Sequence, residues 1–565
     1  GDRLGLVTFS STANLDAGMA AAATAKPILV GPAPFTTGKI GAISPGGNTS
    51  IGAGLGLAQL GIGGGPTDNS ILLLTDGLQN TAPTIQEIEP HLGSTKVNVI
   101  GFGSDADIDG PLLNRLAHDH GGHFTRAIDG LSLRKFFGLS FGNIFESGAL
   151  SDPDFLLPAG KAESDPHRFD VCGEERITVI VGWDDPGTPM NVQVRTPSGK
   201  VIGGRKVRPV RGRSWLFWRI PLPYESERDG TWDCLVSRVP TGGEFPPPPS
   251  NVRYFFLVVC SGGPKLRPLI ARRRVYTGDR IDPMVGLHYA NRTTPHGASV
   301  KLTIDAPGVA LGQLTTQAGL APPVISGDAV DAFHATLQAI AKAAGGVLPV
   351  ATSTFTVPLY DDGDHDDGAM EPDGVFNNPL KDLTRVEGTY QFRAVATYGE
   401  DCRASREAHW SIHVEPGIDP GRTEVVWDGG RGVLVITPRD PYGNPVGPGR
   451  GHIFEVSPLP GVQVDGKVKD RGDGSYEVPV TWDDTVAPWP GVVVQQPDRP
   501  PVILLPPGGK LPGGGDCAEA AEDLLECLGL KDPDVKKVRV TKVILEVDLK
   551  GGGCKDDKDD CGCRP

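Results

Sequence analysis

The glycine-rich stretch GAISPGGNTSIGAGLGLA at 41–58 carries a small hydroxyl side chain, Thr49, directly before a run with helical character. Such a loop holds a phosphate, holds a metal ion or only turns the chain. A phosphate loop needs GxxxxGK[ST], whereas PFTTGKI at 34–40 lacks the first glycine and ends in Ile. GAGLGLA at 52–58 spaces its glycines by two and falls within the helical run rather than before it. The pattern therefore argues against a nucleotide-binding loop.

The metal alternative gains from a second residue, Asp76, which follows the apolar segment ILLLT at 71–75. Open α/β sheets bind their ligands at the carboxyl ends of the strands. A carboxylate and a facing hydroxyl are hard oxygen ligands that suit Mg²⁺, with water or a partner's carboxylate completing the octahedron. We expect Thr49 and Asp76 to contribute to a divalent cation site. The alternative is that they serve only as turn and cap residues.

A second candidate for cation binding is the acidic stretch LYDDGDHDDGAMEPDGVF at 359–376. Counted from Asp362, carboxylates fall at loop positions 1, 3, 5 and 12, which are Asp362, Asp364, Asp366 and Asp373. This spacing is close to a Ca²⁺ loop, although the glycine comes one place late and no helices flank the segment, so an EF-hand is excluded. Bound Ca²⁺ would relieve the repulsion between these carboxylates. The alternative is a solvated acidic loop.

Two short motifs resemble catalytic signatures. GLSFG at 138–142 matches GxSxG, but it follows an amphipathic helical pattern, whereas a nucleophile elbow needs a strand before the serine. His118, His120 and His123 are close in sequence, yet they straddle a helix end and the next strand, and HExxH is absent from the sequence. We expect neither motif to be catalytic and the chain not to be an enzyme.

Residues 1–147 alternate apolar strand-like segments with helical patterns. The strand-like segments are LGLVTFS (4–10), SILLLTDG (70–77), KVNVIGFG (96–103) and GHFTRA (122–127). Strands that are apolar throughout and separated by helices predict a doubly wound, Rossmann-like parallel sheet covered on both faces. The predicted fold class is therefore α/β for this part of the chain.

From about residue 152 the apolar period becomes two, which predicts all-β sandwiches. We expect a multidomain chain with sandwiches at 152–262, at 265–415 with an inserted helix at about 328–344, and at 418–495; a Pro/Gly linker at 497–515; and a small α/β, cysteine-containing tail at 516–565 with a helix around 517–529.

Composition limits the partners. The formal net charge of −15 and the pI of about 5.3 argue against a nucleic-acid or anionic-membrane partner, and favour a cation or a protein. No apolar run reaches the roughly 18–20 residues that span a bilayer. Five of the nine cysteines lie in the last 49 residues, which favours disulfides and an extracytoplasmic location, with at least one thiol unpaired. Because the sequence starts at Gly1 in a strand-like segment, we also expect an upstream portion.

The segments GDRLGLVTFSS, GGNTSIGAGLGLA, ILLLTDGLQN and VNVIGFGSDADIDGPLLNRLAHDHGGHFTRA resemble, in order and spacing, consecutive parts of a von Willebrand factor type A domain. The resemblance covers roughly residues 1–137. It implies a metal-ion-dependent adhesion site in which Thr49 and Asp76 correspond to the family's threonine and strand-end aspartate. The family's DxSxS loop, with its central strand and helix, is absent from this sequence. By resemblance, an acidic side chain of a protein ligand completes the metal's coordination.

The third sandwich resembles filamin-type or invasin-type immunoglobulin-like repeats through DPYGNPVGPG and GDGSYEV. The second is similar to β-domains that follow type A domains in bacterial surface proteins and in chloride-channel-regulator-like proteins. These resemblances imply a secreted or surface-displayed adhesion protein that recognises a protein partner through Mg²⁺ or Ca²⁺. Two alternatives stay open: an accessory region of a secreted hydrolase whose catalytic domain lies upstream, and a metal-free structural scaffold.

Overall fold

The structure, a computed structural model, describes residues 2–507 except 34, 36, 64–68, 146–147, 152–153, 204–206, 240–249, 271, 318–330, 369–371, 401, 454 and 487–488, together with the backbone of two strands at 535–541 and 544–549. The chain forms two compact units, one comprising Gly1–Leu314 and Pro323–Glu415, the other Thr315–Pro322 and Pro416–Pro565. The helix predicted at 517–529 and the five C-terminal cysteines lie outside the described residues.

The first part of the first unit contains a small parallel α/β sheet, as the apolar strand pattern predicts. The strands of this part are β1 (Arg3–Phe9), β2 (Ala13–Ala21), β3 (Ser70–Thr75), β4 (Lys96–Phe102) and β5 (Phe124–Ala127). Its helices are α1 (Ala22–Val30), α2 (Ile51–Ile62), α3 (Ile85–Ile88), α4 (Gly110–Asp119) and α5 (Gly130–Phe145). Strands β3, β4 and β5 form a parallel sheet in that order, whereas β1 and β2 form a separate antiparallel hairpin. The expectation that LGLVTFS (4–10) joins the parallel sheet is therefore wrong, because β1 pairs with β2 instead. Helix α2 contacts both sheets.

Local sequence explains where these helices begin. The Ser50 hydroxyl accepts a hydrogen bond from the Ala53 N–H at the start of α2, and the Asp109 carboxylate does the same for Leu112 in α4. Such caps satisfy N–H groups that have no partner within the helix. Buried apolar side chains from α2, β3, β4 and α4, including Ile51, Leu73, Val99 and Leu116, form one core between helices and sheet.

The rest of the first unit is antiparallel β-structure with two helices. Its strands are β6 (Ala149–Ser151), β7 (Asp154–Leu157), β8 (His167–Val171), β9 (Arg176–Trp183), β10 (Met190–Arg195), β11 (Val210–Arg211), β12 (Trp215–Pro221), β13 (Gly230–Arg238), β14 (Val252–Ser261), β15 (Lys265–Leu269), β16 (Val275–Tyr276), β17 (Met284–His288), β18 (Ser299–Pro307), β19 (Thr352–Leu359), β20 (Val375–Phe376), β21 (Gly388–Tyr398) and β22 (Ala404–Glu415). The helices are α6 (Leu311–Gln317) and α7 (Ala332–Ala343). Helix α7 lies within the range expected for the inserted helix, 328–344, and buries Phe333 and Leu337.

One sheet runs through both predicted sandwiches of this unit. Its order is β11-β12-β9-β14-β6-β22-β21-β18-β19, with β7 and β16 pairing off this path. The short strand β6 joins the two halves because it pairs with β14 on one side and with β22 on the other. Two smaller sheets, β10-β13-β8 and β15-β17-β20, complete the two apolar cores. A disulfide between Cys172 and Cys402 also links the two halves.

The second unit contains a further β-sandwich. Its strands are β23 (Glu424–Asp428), β24 (Val433–Thr437), β25 (Glu455–Pro458), β26 (Val462–Val464), β27 (Lys469–Asp470), β28 (Tyr476–Trp482), β29 (Val492–Gln495) and β30 (Val502–Leu504), followed by the paired strands β31 (Val535–Thr541) and β32 (Ile544–Leu549). The sandwich extends into the segment expected to be a linker, because β30 pairs with β29 and buries Ile503 and Leu504. Within the described part of the chain, no helix combines the length and apolar character that crossing a membrane requires.

Candidate functional site

Three chain segments meet at the carboxyl end of β3. The Thr49 N–H donates to the Asn80 side-chain oxygen at 2.7 Å, and the Asn80 N–H donates to the Thr49 carbonyl at 3.0 Å. The Asn48 N–H donates to the Ser11 hydroxyl at 3.0 Å, which ties the end of β1 to the same loop. The loop that carries Thr49 is therefore fixed next to the turn that carries Asp76.

The two candidate ligands differ in their exposure to solvent. Asp76 is exposed, and Thr49 is half-buried with its hydroxyl beside Gly77, where an added Cβ would lie 3.0 Å from Thr49 Oγ1. Thr49 and Asp76 provide one hydroxyl and one carboxylate, which suit a hard cation but fall short of the six oxygens that Mg²⁺ takes. Across the described ranges, no group of three or more His, Cys, Asp and Glu side chains is arranged to hold a metal ion.

In the acidic loop, the four aspartates named from sequence mostly contact donors within the loop or its surroundings. The Asp362 carboxylate contacts His365 Nδ1 at 2.9 Å, and Asp366 pairs with Arg280 at 2.7 Å. Asp373 accepts from the Val375 N–H, and Asp364 is exposed. These contacts do not bring the four carboxylates to a common point. Their role as calcium ligands stays a prediction.

The sequence pattern missed three residues that form the inside of this loop. The Asp367 carboxylate accepts from the backbone N–H groups of Asp362 and Gly363, at 2.6 and 2.8 Å. The Asp361 carboxylate accepts from those of Asp373 and Gly374, at 3.0 and 2.9 Å. Asn377 at the end of β20 donates from its amide to carbonyls of the loop. The only sequence signal for these three residues was the high density of acidic residues in the segment. The alternating spacing identifies the carboxylates that point outward.

A cleft of this unit lies elsewhere, between strands β7 and β8. Its volume is about 360 Å³, and its walls include Phe155, His167, Tyr254 and Phe256. The His167 ring nitrogen Nε2 lies 2.8 Å from the Tyr254 hydroxyl, and its ring packs 4.0 Å from that of Phe155. Burial lowers the pKa of His167 to about 4, which keeps the ring neutral at physiological pH.

The two short motifs that resemble catalytic signatures lie in or next to helices. Ser140 falls within α5, so no strand precedes it. His118 lies in the last turn of α4 and His120 caps that helix, whereas His123 precedes β5. The geometry around Ser140 is therefore not that of a nucleophile elbow.

Comparisons with known proteins give only distant likenesses. No protein-family model matches the chain, and no curated protein sequence matches it. Among solved structures, a von Willebrand factor type A protein from Catenulispora acidiphila is 15% identical with a TM-score of 0.21, over 51% of this chain and 53% of that chain. The chain thus spans about half the length of that protein.

Two further solved structures show the same low similarity. A DUF4785 family protein from Legionella pneumophila is 8% identical with a TM-score of 0.26, over 63% of this chain and 84% of that one. A bacterial ice-binding adhesin is 9% identical with a TM-score of 0.18, over 64% of this chain and 97% of that one. At these scores the likenesses carry no argument about fold, activity or partner.

Proposed function

We propose that this chain is part of an extracellular adhesion protein whose α/β portion binds a protein partner through a divalent cation, with the β-sandwiches acting as spacers. The observation that carries the proposal is the pair of hydrogen bonds between Thr49 and Asn80, because they fix the backbone of Thr49 beside the Asp76 turn. Both side chains lie at a strand-end edge, where α/β sheets place ligands.

The cation's role in this proposal is to bridge two proteins. Thr49 and Asp76 would hold it from this chain, and a carboxylate of the partner would take a remaining coordination position. The exposure of Asp76 fits this role, since the partner must reach the ion. The Cys172–Cys402 disulfide supports an extracellular location, because disulfides persist in oxidising compartments.

The proposal is tested by comparing binding in Mg²⁺ and in EDTA. Proteins from a cell-surface extract are captured on immobilised residues 1–565, on the Asp76→Ala variant and on an Asp165→Ala control, whose side chain is 92% exposed and lies in the β-sandwich part. We expect Mg²⁺-dependent capture by the unchanged protein and the control, and none by Asp76→Ala. Capture that is equal in Mg²⁺ and EDTA, or equal in all three proteins, would contradict the proposal.

A further inference from the structure

Two buried oxygen atoms at the base of the acidic loop have no hydrogen-bond partner among the described residues: Asp367 Oδ1 and Asn377 Oδ1. Asp367 is 3% exposed and Asn377 is fully buried. An acceptor that is buried without a partner costs about 1–3 kcal/mol, and more when it is charged. Native proteins therefore pair such atoms with a donor, a water molecule or an ion.

The remaining polar atoms of both side chains are bonded, which fixes the direction of the two unpaired oxygens. Asp367 Oδ2 accepts two backbone N–H groups of the turn, from Asp362 and Gly363. Asn377 Nδ2 donates to the carbonyls of His365 and Asp366 at 3.0 and 3.1 Å. These two donated bonds also fix the orientation of the amide, since a flipped amide would place its oxygen against two carbonyls. Asp367 and Asn377 thus both bond to the backbone of the turn, and each has one side-chain oxygen without a hydrogen-bond partner among the described residues.

The surroundings of these oxygens are negatively charged. The Asp361 carboxylate belongs to the same loop and accepts from the N–H groups of Asp373 and Gly374. The basic side chains next to the loop contact other carboxylates, because Arg280 pairs with Asp366 and His365 contacts Asp362. A positive ligand would satisfy the unpaired oxygens and reduce the repulsion.

We propose that Asp367 Oδ1 and Asn377 Oδ1 bind a Ca²⁺ ion inside the acidic loop, with backbone carbonyls and water completing its shell. Calcium accepts six to eight oxygens, including amide and backbone carbonyls, in flexible geometry, whereas Mg²⁺ demands a near-ideal octahedron. The ligand set differs from the one that loop spacing indicates, since Asp362, Asp364 and Asp366 point to other partners or to solvent. The ion would fix the turn that joins β19 to β20.

The test is a calorimetric titration of CaCl₂ into residues 1–565, into Asp367→Asn and into the triple variant Asp362→Asn, Asp364→Asn and Asp366→Asn. We expect the unchanged protein and the triple variant to bind one ion with affinities within threefold of each other, and Asp367→Asn to bind at least tenfold more weakly. No calcium heat from the unchanged protein would overturn the proposal and assign the oxygens to water. The proposal would also be overturned if the triple variant lost calcium binding while Asp367→Asn retained it.

A second measurement guards against a variant that merely unfolds the loop. The Tyr360 ring stacks on that of His365, with centroids 4.2 Å apart, so Tyr360 lies close enough to the proposed ion to sensitise Tb³⁺ luminescence. We expect Tyr360→Leu to remove most of the sensitised emission while its calorimetric affinity for Ca²⁺ stays unchanged. Emission that persists in Tyr360→Leu would place the ion elsewhere. Asp76→Ala should retain the calcium heat, which separates this site from the adhesion proposal.

Discussion

Arg406 on β22 and Glu174 before β9 form an ion pair in the interior of the first unit, 232 residues apart in sequence, with Nη2 and Oε1 2.7 Å apart and side-chain exposures of 1% and 0%. The guanidinium also donates to the carbonyls of Pro264 and Ser405, both at 2.8 Å. The pair lies beside the Cys172–Cys402 disulfide in sequence, so a charged contact and a covalent one join the same two halves of the long sheet.

Replacing Arg406 with Met should lower the free energy of unfolding of the first unit by about 3–5 kcal/mol, because it leaves the Glu174 carboxylate buried without its cation. Chemical denaturation followed by tryptophan fluorescence measures this. The matched control is Arg228→Met, whose pair with Asp229 is 45% and 46% exposed and should contribute about 1 kcal/mol or less. Equal losses in the two variants would refute the structural role of the buried pair.

Breaking the disulfide should also destabilise this unit. The bond closes a loop with a sequence separation of 230 residues, and removing such a cross-link costs about 2–5 kcal/mol. We expect Cys402→Ser to unfold at lower denaturant concentration than the unchanged protein, and added reductant to lower the midpoint of the unchanged protein but not of the variant. Peptide mapping without reduction should recover Cys172 joined to Cys402; recovery of both as free thiols would contradict the account.

The buried contact between the α/β part and strand β22 should be sensitive to the loss of one carboxylate. Asp105 pairs with Arg126 at 2.5 Å and accepts from the Thr389 hydroxyl, which also lies 2.9 Å from His413 Nδ1. Burial alone would raise the pKa of Asp105, but Arg126 and His413, with hydrogen bonds from His413 and Thr389, outweigh burial and lower it.

A carboxyl with a lowered pKa contributes stability above its unfolded pKa, and this contribution is lost as the pH falls through the folded value. We therefore expect Asp105→Asn to lower the free energy of unfolding by about 3–5 kcal/mol at pH 7, because Arg126 loses its carboxylate. At pH 2 the difference from the unchanged protein should be no larger. Asp165→Asn, an exposed control, should change stability by less than about 1 kcal/mol. An Asp105→Asn variant with unchanged free energy of unfolding would show that the contact does not stabilise the protein.

His123 should make the first unit less stable in mild acid. Burial, with Arg267 and Lys96 adding to it, lowers the pKa of His123 to about 4 from 6.5. Between these values the unfolded chain binds a proton that the folded protein does not, so stability falls as the pH drops from 6.5 to 4. The change corresponds to at most about 3 kcal/mol, and the partial exposure of the ring lowers that figure.

Thermal unfolding at several pH values checks this effect. His123→Gln should show a weaker dependence on pH between 4 and 6.5 than the unchanged protein. His91→Gln, at an exposed position, should show the same dependence as the unchanged protein. If His123→Gln and the unchanged protein lose stability in parallel, the neutral buried imidazole is not the cause.

Local sequence patterns predicted many of the elements, but not β2 and α1 and not the contacts between elements. The apolar run ILLLT forms most of β3, and Ser50 caps α2 as its residue type allows. Phe333 and Leu337 are buried side chains of α7. By contrast, no local pattern indicates that Glu174 and Arg406 meet, because their pairing depends on how distant strands are ordered in the sheet. Strand β6 joins the two halves of the long sheet. With three residues, it is too short to be identified from a period-two pattern.

The acidic loop shows the same limit at a candidate site. The alternation of Asp362, Asp364 and Asp366 matches a known calcium-loop spacing, but that spacing positions ligands only within a particular backbone conformation. Here the turn brings Asp361 and Asp367 back onto backbone N–H groups and draws Asn377 in from β20, ten residues beyond Asp367. The burial of Asp367 and Asn377 is a tertiary property, so residue type and spacing could not distinguish them from their exposed neighbours.

The adhesion proposal is tested most directly by a calorimetric titration of MgCl₂ into residues 1–565, alongside the Asp76→Ala and Asp165→Ala variants. We predict one Mg²⁺-binding event in the unchanged protein and in Asp165→Ala, and at least a tenfold loss of affinity in Asp76→Ala. Identical titrations for Asp76→Ala and the unchanged protein, or no magnesium heat in any of the three, would contradict a cation-dependent adhesion site at Thr49 and Asp76.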